Sequence, residues 1–151
     1  MADHSSRFVY VTYIRTTPEK LWAALTQPEF TRQYWFGVTM ESDWKAGSQW
    51  KMMYADGGVT DAGEIIEADA PRRLVIKWRN EWKPEFKAEG YSRCTMELEA
   101  TGEVVRLTVI HEMEKANSLL IDQGVSDGWP KILSNLKSLL ETGAAAMPLK
   151  P

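Results

Sequence analysis

Residues Gly124–Gly143, GVSDGWPKILSNLKSLLETG, carry the clearest periodic signal in the chain. Trp129, Ile132, Leu133, Leu136, Leu139 and Leu140 recur at i, i+3, i+4 and i+7, which gathers them into one apolar stripe, while Lys131, Asn135, Lys137 and Ser138 fall elsewhere. Ser126 or Asp127 can cap the start. Pro130 fits the first turn, where no N–H is required, and Gly143 supplies a left-handed stop. The spacing predicts a helix over Asp127–Thr142 whose stripe must lie against a large apolar surface. Almost everything before it reads as strand. The expected architecture is therefore α+β, a curved antiparallel sheet wrapped around one long helix.

Immediately upstream, Asn117–Gln123 reads as the beginning of the helical region, with a break or kink near Gly124 and Gly128. Before it, YSRCTMELEA (91–100) and EVVRLTVIHEM (103–113) form a hairpin across Thr101-Gly102. Alternation puts Cys94, Met96 and Leu98 on one face, and Val105, Leu107, Val109 and His111 on the matching face of the partner strand, both expected inward. RLVIKWR (73–79) alternates in the same way, with Leu74, Ile76 and Trp78 inward. The intervening NEWKPEFKAEG (80–90), with Pro84 and many charges, reads as a loop. Its Trp82 and Phe86 are either packing anchors or the lip of a pocket.

Farther back, strands are expected over Thr60–Ala68, Ser48–Tyr54 and Val38–Trp44, with Asp56-Gly57-Gly58 as a turn. Two short helices precede them, Pro18–Thr26, capped by Thr16 or Thr17, and Pro28–Tyr34. Phe8–Arg15 is the first strand. The order is strand, two short helices, six strands, long helix, all in a single domain spanning 1–151. Residues 1–7 and 144–151 are expected to be disordered tails.

The 151 residues can bury one ordinary core, and a formal net charge of −3 without long Lys/Arg runs gives no nucleic-acid footprint. The single cysteine, Cys94, allows no intrachain disulfide, and with only two histidines, His4 and His111, the chain is poor in soft metal ligands. No apolar run approaches the roughly 20 residues that span a bilayer, and MADHSSRF lacks the pattern of a secretion signal. A soluble, reducing, cytoplasmic setting is the expectation. Seven Trp, seven Met and five Tyr are many for this length. Composition leaves open whether they fill a core or line an apolar cavity.

Three segments in order, TPEKLWAALTQPEFTRQYWFG (17–37), GEIIEADAPRRLVIKWR (63–79) and VVRLTVIHEM with GWPKILSNLKSLLE (104–141), resemble the AHSA-type family. That family is named for the activator of the ninety-kilodalton heat-shock protein ATPase and lies within the START and birch-pollen-allergen helix-grip superfamily. The resemblance implies a seven-stranded antiparallel sheet gripping the C-terminal helix, with a cavity between them that in relatives accepts apolar or amphipathic molecules. Relatives include lipid, hormone and polyketide binders, cyclases and a chaperone activator, so fold alone does not assign activity.

His111 is the sharpest single residue, because it follows Val105, Leu107 and Val109 on a face expected to be buried. It reads either as a structural histidine, hydrogen-bonded to backbone or a Tyr, or as a polar anchor for a ligand. The pairs Glu97/Glu99 and Glu112/Glu114 lie on faces opposite the apolar set and read as solvated carboxylates. Glu64 sits on a strand without clear alternation, so either face is open to it. Nucleophile elbows and phosphate loops are missing, and no catalytic residue, metal ligand or cofactor is expected. The candidate ligand-binding residues are Trp50, Met52, Tyr54, Trp78, Met96, His111, Trp129, Leu133 and Leu136, with Trp129 reaching inward near Trp78 and His111. The leading expectation is a non-catalytic binding protein for a small apolar or aromatic molecule. The alternatives are an interaction module acting on a heat-shock ATPase, and a cyclase-like enzyme.

Overall fold

In a computed structural model, which describes residues 6–147, the chain forms one seven-stranded antiparallel sheet against a long C-terminal helix. The elements are β1 (Ser6–Ile14), α1 (Pro18–Thr26), α2 (Pro28–Tyr34), β2 (Thr39–Ser42), β3 (Gln49–Met53), β4 (Val59–Asp69), β5 (Arg73–Asn80), α3 (Pro84–Lys87), β6 (Ser92–Thr101), β7 (Val104–Met113) and α4 (Ser126–Thr142). The spatial order β1-β7-β6-β5-β4-β3-β2 leaves β1 and β2 at the edges. Among the described residues no helix is long and apolar enough to cross a membrane.

Local chemistry accounts for these elements. Thr17 Oγ1 accepts from the Lys20 amide at 3.2 Å and Pro18 occupies the first turn of α1. Strand alternation delivers Leu74, Ile76 and Trp78, Cys94, Met96 and Leu98, and Val105, Leu107, Val109 and His111 to one buried face. Against that face α4 lays Trp129, Ile132, Leu133, Leu136 and Leu139. Each Leu or Ile so buried contributes roughly 1.5–3 kcal/mol of transfer free energy, which makes the stripe the main adhesive between helix and sheet. Asn135, off the stripe by its spacing, is also fully buried. Its amide donates to the Tyr34 carbonyl at 3.3 Å and accepts from the Met147 amide at 2.7 Å, so burial leaves it paired.

The start of α4 differs from expectation. Neither Ser126 nor Asp127 caps it, because the chain is already helical: Leu120–Val125 forms a π-helical segment that runs directly into α4. Ser126 Oγ instead donates back to the Asp122 carbonyl at 2.6 Å. Pro130 thus sits inside a continuous helical path, just after the widened turn. The far end behaves as read: Gly143 adopts φ +91° and its amide closes onto the Leu139 carbonyl at 2.9 Å.

Three further boundaries move. β1 begins at Ser6, whose Oγ donates to the Lys115 carbonyl, so Ser6 and Arg7 are strand rather than tail. Residues 144–147 of the expected C-terminal tail are held through Ser138 Oγ to the Ala144 carbonyl and the Met147 amide to Asn135. The remaining tail residues, 1–5 and 148–151, lie outside the described residues. The expected loop 80–90 contains α3, whose Phe86 is buried.

Candidate functional site

At the open end of the sheet–helix interior, β7, β6 and α4 bring together His111, Ser92 and Trp129. Register places Cys94, two residues beyond Ser92, opposite His111, and one turn of α4 carries the indole across to the ring. Trp129 Nε1 donates to His111 Nδ1 at 3.1 Å. An indole N–H only donates, so Nδ1 is bare and the ring proton resides on Nε2. That N–H meets Ser92 Oγ at 2.7 Å, and Ser92 in turn donates to the Trp78 carbonyl at 3.0 Å. The chain of donors closes with neither ring nitrogen free. Burial also pushes the His111 pKa down to about 3, so the ring is neutral around pH 7.

Around this network the aromatic rings cluster. Trp35, which ends α2, lies 5.2 Å from Trp129 and 6.1 Å from Trp78 between ring centroids, and Trp50 lies 4.5 Å from Trp78. The Trp78 indole donates to Asp61 Oδ2 at 2.7 Å. Asp61 is 9% exposed; burial raises its carboxyl pKa, the Thr60 and Trp78 hydrogen bonds partly offset this, and the Glu81 charge adds to the rise. Trp50 Nε1 is buried without a partner among the described residues.

Between these groups and the π-helical segment opens a cleft of about 190 Å³. Trp35, Trp78, Trp129, His111 and Met52 form its floor, Asp61 and Asn80 one wall, and Trp82, Phe86, Leu120 and Ile132 its rim. The rim is fastened from outside. Glu89, at the end of the β5–β6 connection, accepts from Ser118 Oγ at 2.5 Å, the Leu119 amide at 2.8 Å and the Leu120 amide at 3.2 Å, so it caps the π-helical segment. Asn80 Oδ1 accepts from the Trp82 and Lys83 amides and fixes the turn below α3. A larger groove of about 920 Å³ crosses the outer sheet face, but its walls are solvated charges such as Glu41, Lys51, Glu64 and Lys77.

Of the candidate residues, Met52, Trp78, His111 and Trp129 line the cleft together. Trp50, Met96, Leu133 and Leu136 are buried in the core behind it. Tyr54 is 49% exposed, because the register between β3 and β4 shifts after Met52 and the Trp50–Met52–Tyr54 alternation breaks there. Glu64 points outward, opposite Lys77. The spacing had not singled out Trp35, Asp61 or Asn80. The available signal for Asp61 was parity: it pairs with Asn80, on the same face of β5 as Trp78.

The model of the family described as Activator of Hsp90 ATPase homolog 1-like protein matches residues 15–141, and the chain belongs to that family. Among solved structures, protein MLL2253 from Mesorhizobium loti is similar with a TM-score of 0.76 and 24% identity, over 90% of this chain and 97% of that one. The Aha1 dimer of Colwellia psychrerythraea is similar at 0.71 and 17%, over 91% and 98%. An HSP90 activator from Plasmodium falciparum is similar at 0.70 and 20%, over 89% and 95%. At such identities these likenesses concern the fold alone. No curated protein matches the chain.

Proposed function

We propose that this member of the activator of Hsp90 ATPase homolog 1-like family binds a small apolar or aromatic molecule in the cleft and performs no chemistry on it. The observation that carries the reading is the convergence of Trp35, Trp78 and Trp129 on an opening of about 190 Å³ at the end of an otherwise filled core. A dry cavity of about 150 Å³ is enough for benzene, so the space suits one aromatic ring with a short substituent. The states of His111 and Cys94 support the non-catalytic part: both His111 nitrogens are engaged, and burial pushes the Cys94 thiol pKa up. Titration with single-ring aromatic fragments, followed by the indole N–H signals in nitrogen-15 NMR, is the test. Trp78 and Trp129 signals should shift and saturate; fragments that shift only surface signals would sink the reading.

A second reading, action on a heat-shock ATPase, follows the family name and has one observation in its favour. Val9, Val11 and Tyr13 stand exposed in a row along the edge strand β1, an apolar strip of the kind that marks protein contacts.

A further inference from the structure

Among the described residues that line the cleft, Asp61 carries the one formal charge, and none of them balances it. Among the described residues no Lys or Arg is ion-paired with it. Trp78 and Thr60 are its side-chain hydrogen-bond donors, and a carboxylate has acceptor capacity beyond those two. His111, the other titratable group on the lining, cannot supply a positive charge, since Trp129 donates into Nδ1 and Ser92 occupies Nε2. Glu81 nearby is taken up by Arg79 at 2.5 Å and Lys87 at 3.3 Å, and neither cation lines the cleft. Lys83 lies over the Phe86 ring at 4.7 Å, a neighbour of the rim rather than a partner of Asp61. The other lining residues are aromatic or aliphatic apart from Asn80, and indole faces attract organic cations.

We propose that the cleft selects a small organic cation, an aralkylamine whose ring lies on the Trp35–Trp78–Trp129 floor and whose ammonium donates to Asp61. This deepens the reading of the cleft as an aromatic-binding site and rests on it. The same carboxylate, buried beside apolar walls, repels anions, so fatty acids and aromatic carboxylates are excluded. The volume limits the ligand to one ring and a chain of two or three atoms.

Phenethylamine, phenethyl alcohol and phenylpropionate are matched probes of similar shape and different charge. Calorimetric titration of the whole chain at neutral pH, with NMR of the indole N–H signals, should find the amine bound about tenfold or more tightly than the alcohol, the difference a charge-assisted hydrogen bond makes. Phenylpropionate should not bind. Asp61→Asn keeps an oxygen for the Trp78 N–H and should abolish the preference, so that the variant binds amine and alcohol within about twofold of each other. The comparison among the three probes on the parent chain does not depend on the variant folding. Equal affinity for amine and alcohol would overturn the charge assignment while leaving aromatic binding intact. No shift of the Trp78 and Trp129 signals with any probe would overturn both.

Discussion

Keeping His111 neutral in the interior makes stability depend on pH. Its folded pKa, about 3, lies below the ordinary 6.5, so between those values the unfolded chain holds a proton that the folded chain does not. Stability therefore falls as pH drops through that window, with a limiting slope of about 1.4 kcal/mol per pH unit. The carboxylates held low by partners, Glu81, Glu89 and Glu141, act in the same direction but only below about 4.5. Asp61, raised by burial, acts with the opposite sign above its unfolded value. Urea unfolding should thus show the parent losing about 1.5 kcal/mol between pH 6.5 and pH 5 relative to His111→Gln. Comparing slopes removes the packing cost of the substitution. Equal slopes in the two proteins would mean that His111 is not buried neutral.

At the scale of elements, the connection between β5 and β6 is tied to the π-helical segment through the hydrogen bonds of Glu89. Burial would raise the Glu89 pKa, yet its hydrogen bonds from Ser118, Leu119 and Leu120 and the Lys115 charge outweigh this and hold it low. Glu89→Ala leaves those donors uncapped and should destabilise the protein by about 2–3 kcal/mol. Amide exchange should speed up most at Leu119 and Leu120. A loss below about 0.5 kcal/mol with unchanged exchange would show the tie to be dispensable. This tie was not legible in the sequence, because Glu89 and Leu119 are far apart along the chain and no local spacing relates them. Nor was the face of β4, where the register shift after Ile65 breaks the alternation that reading by twos depends on. The α4 stripe and the β6–β7 hairpin were legible because their periods are local and unbroken. The candidate site was half legible for the same reason: Trp78, His111 and Trp129 belong to regular elements, whereas Trp35 follows the end of α2 and Asp61 lies on the irregular strand.

For the molecule as a whole, the cleft competes with stability, and two glycines of the helical path show how. Gly124 and Gly128 both line it, in positions where alanine is the better helix former. A methyl group on Gly124 would come within 3.0 Å of Phe86 Cε2, so the rim closes onto that glycine and leaves no room. On Gly128 the nearest atom outside the helix backbone would be Ile132 Cδ1 at 3.9 Å, an ordinary contact, and the backbone there is helical. Gly128→Ala should therefore stabilise the chain by about 0.5–1 kcal/mol, mainly by restricting the unfolded state, while Gly124→Ala should gain less or lose. Gly128 belongs to the cleft lining, so a methyl added there would compete with an occupant for space. If the cleft binds a ring, Gly128→Ala should raise the urea midpoint and lower the affinity for phenethylamine together, the trade expected where a site is left unfilled. A Gly128→Ala protein that is more stable and binds as well as the parent would place the ring elsewhere. One that is less stable would mean that the contact at Ile132 is tighter than the backbone geometry allows.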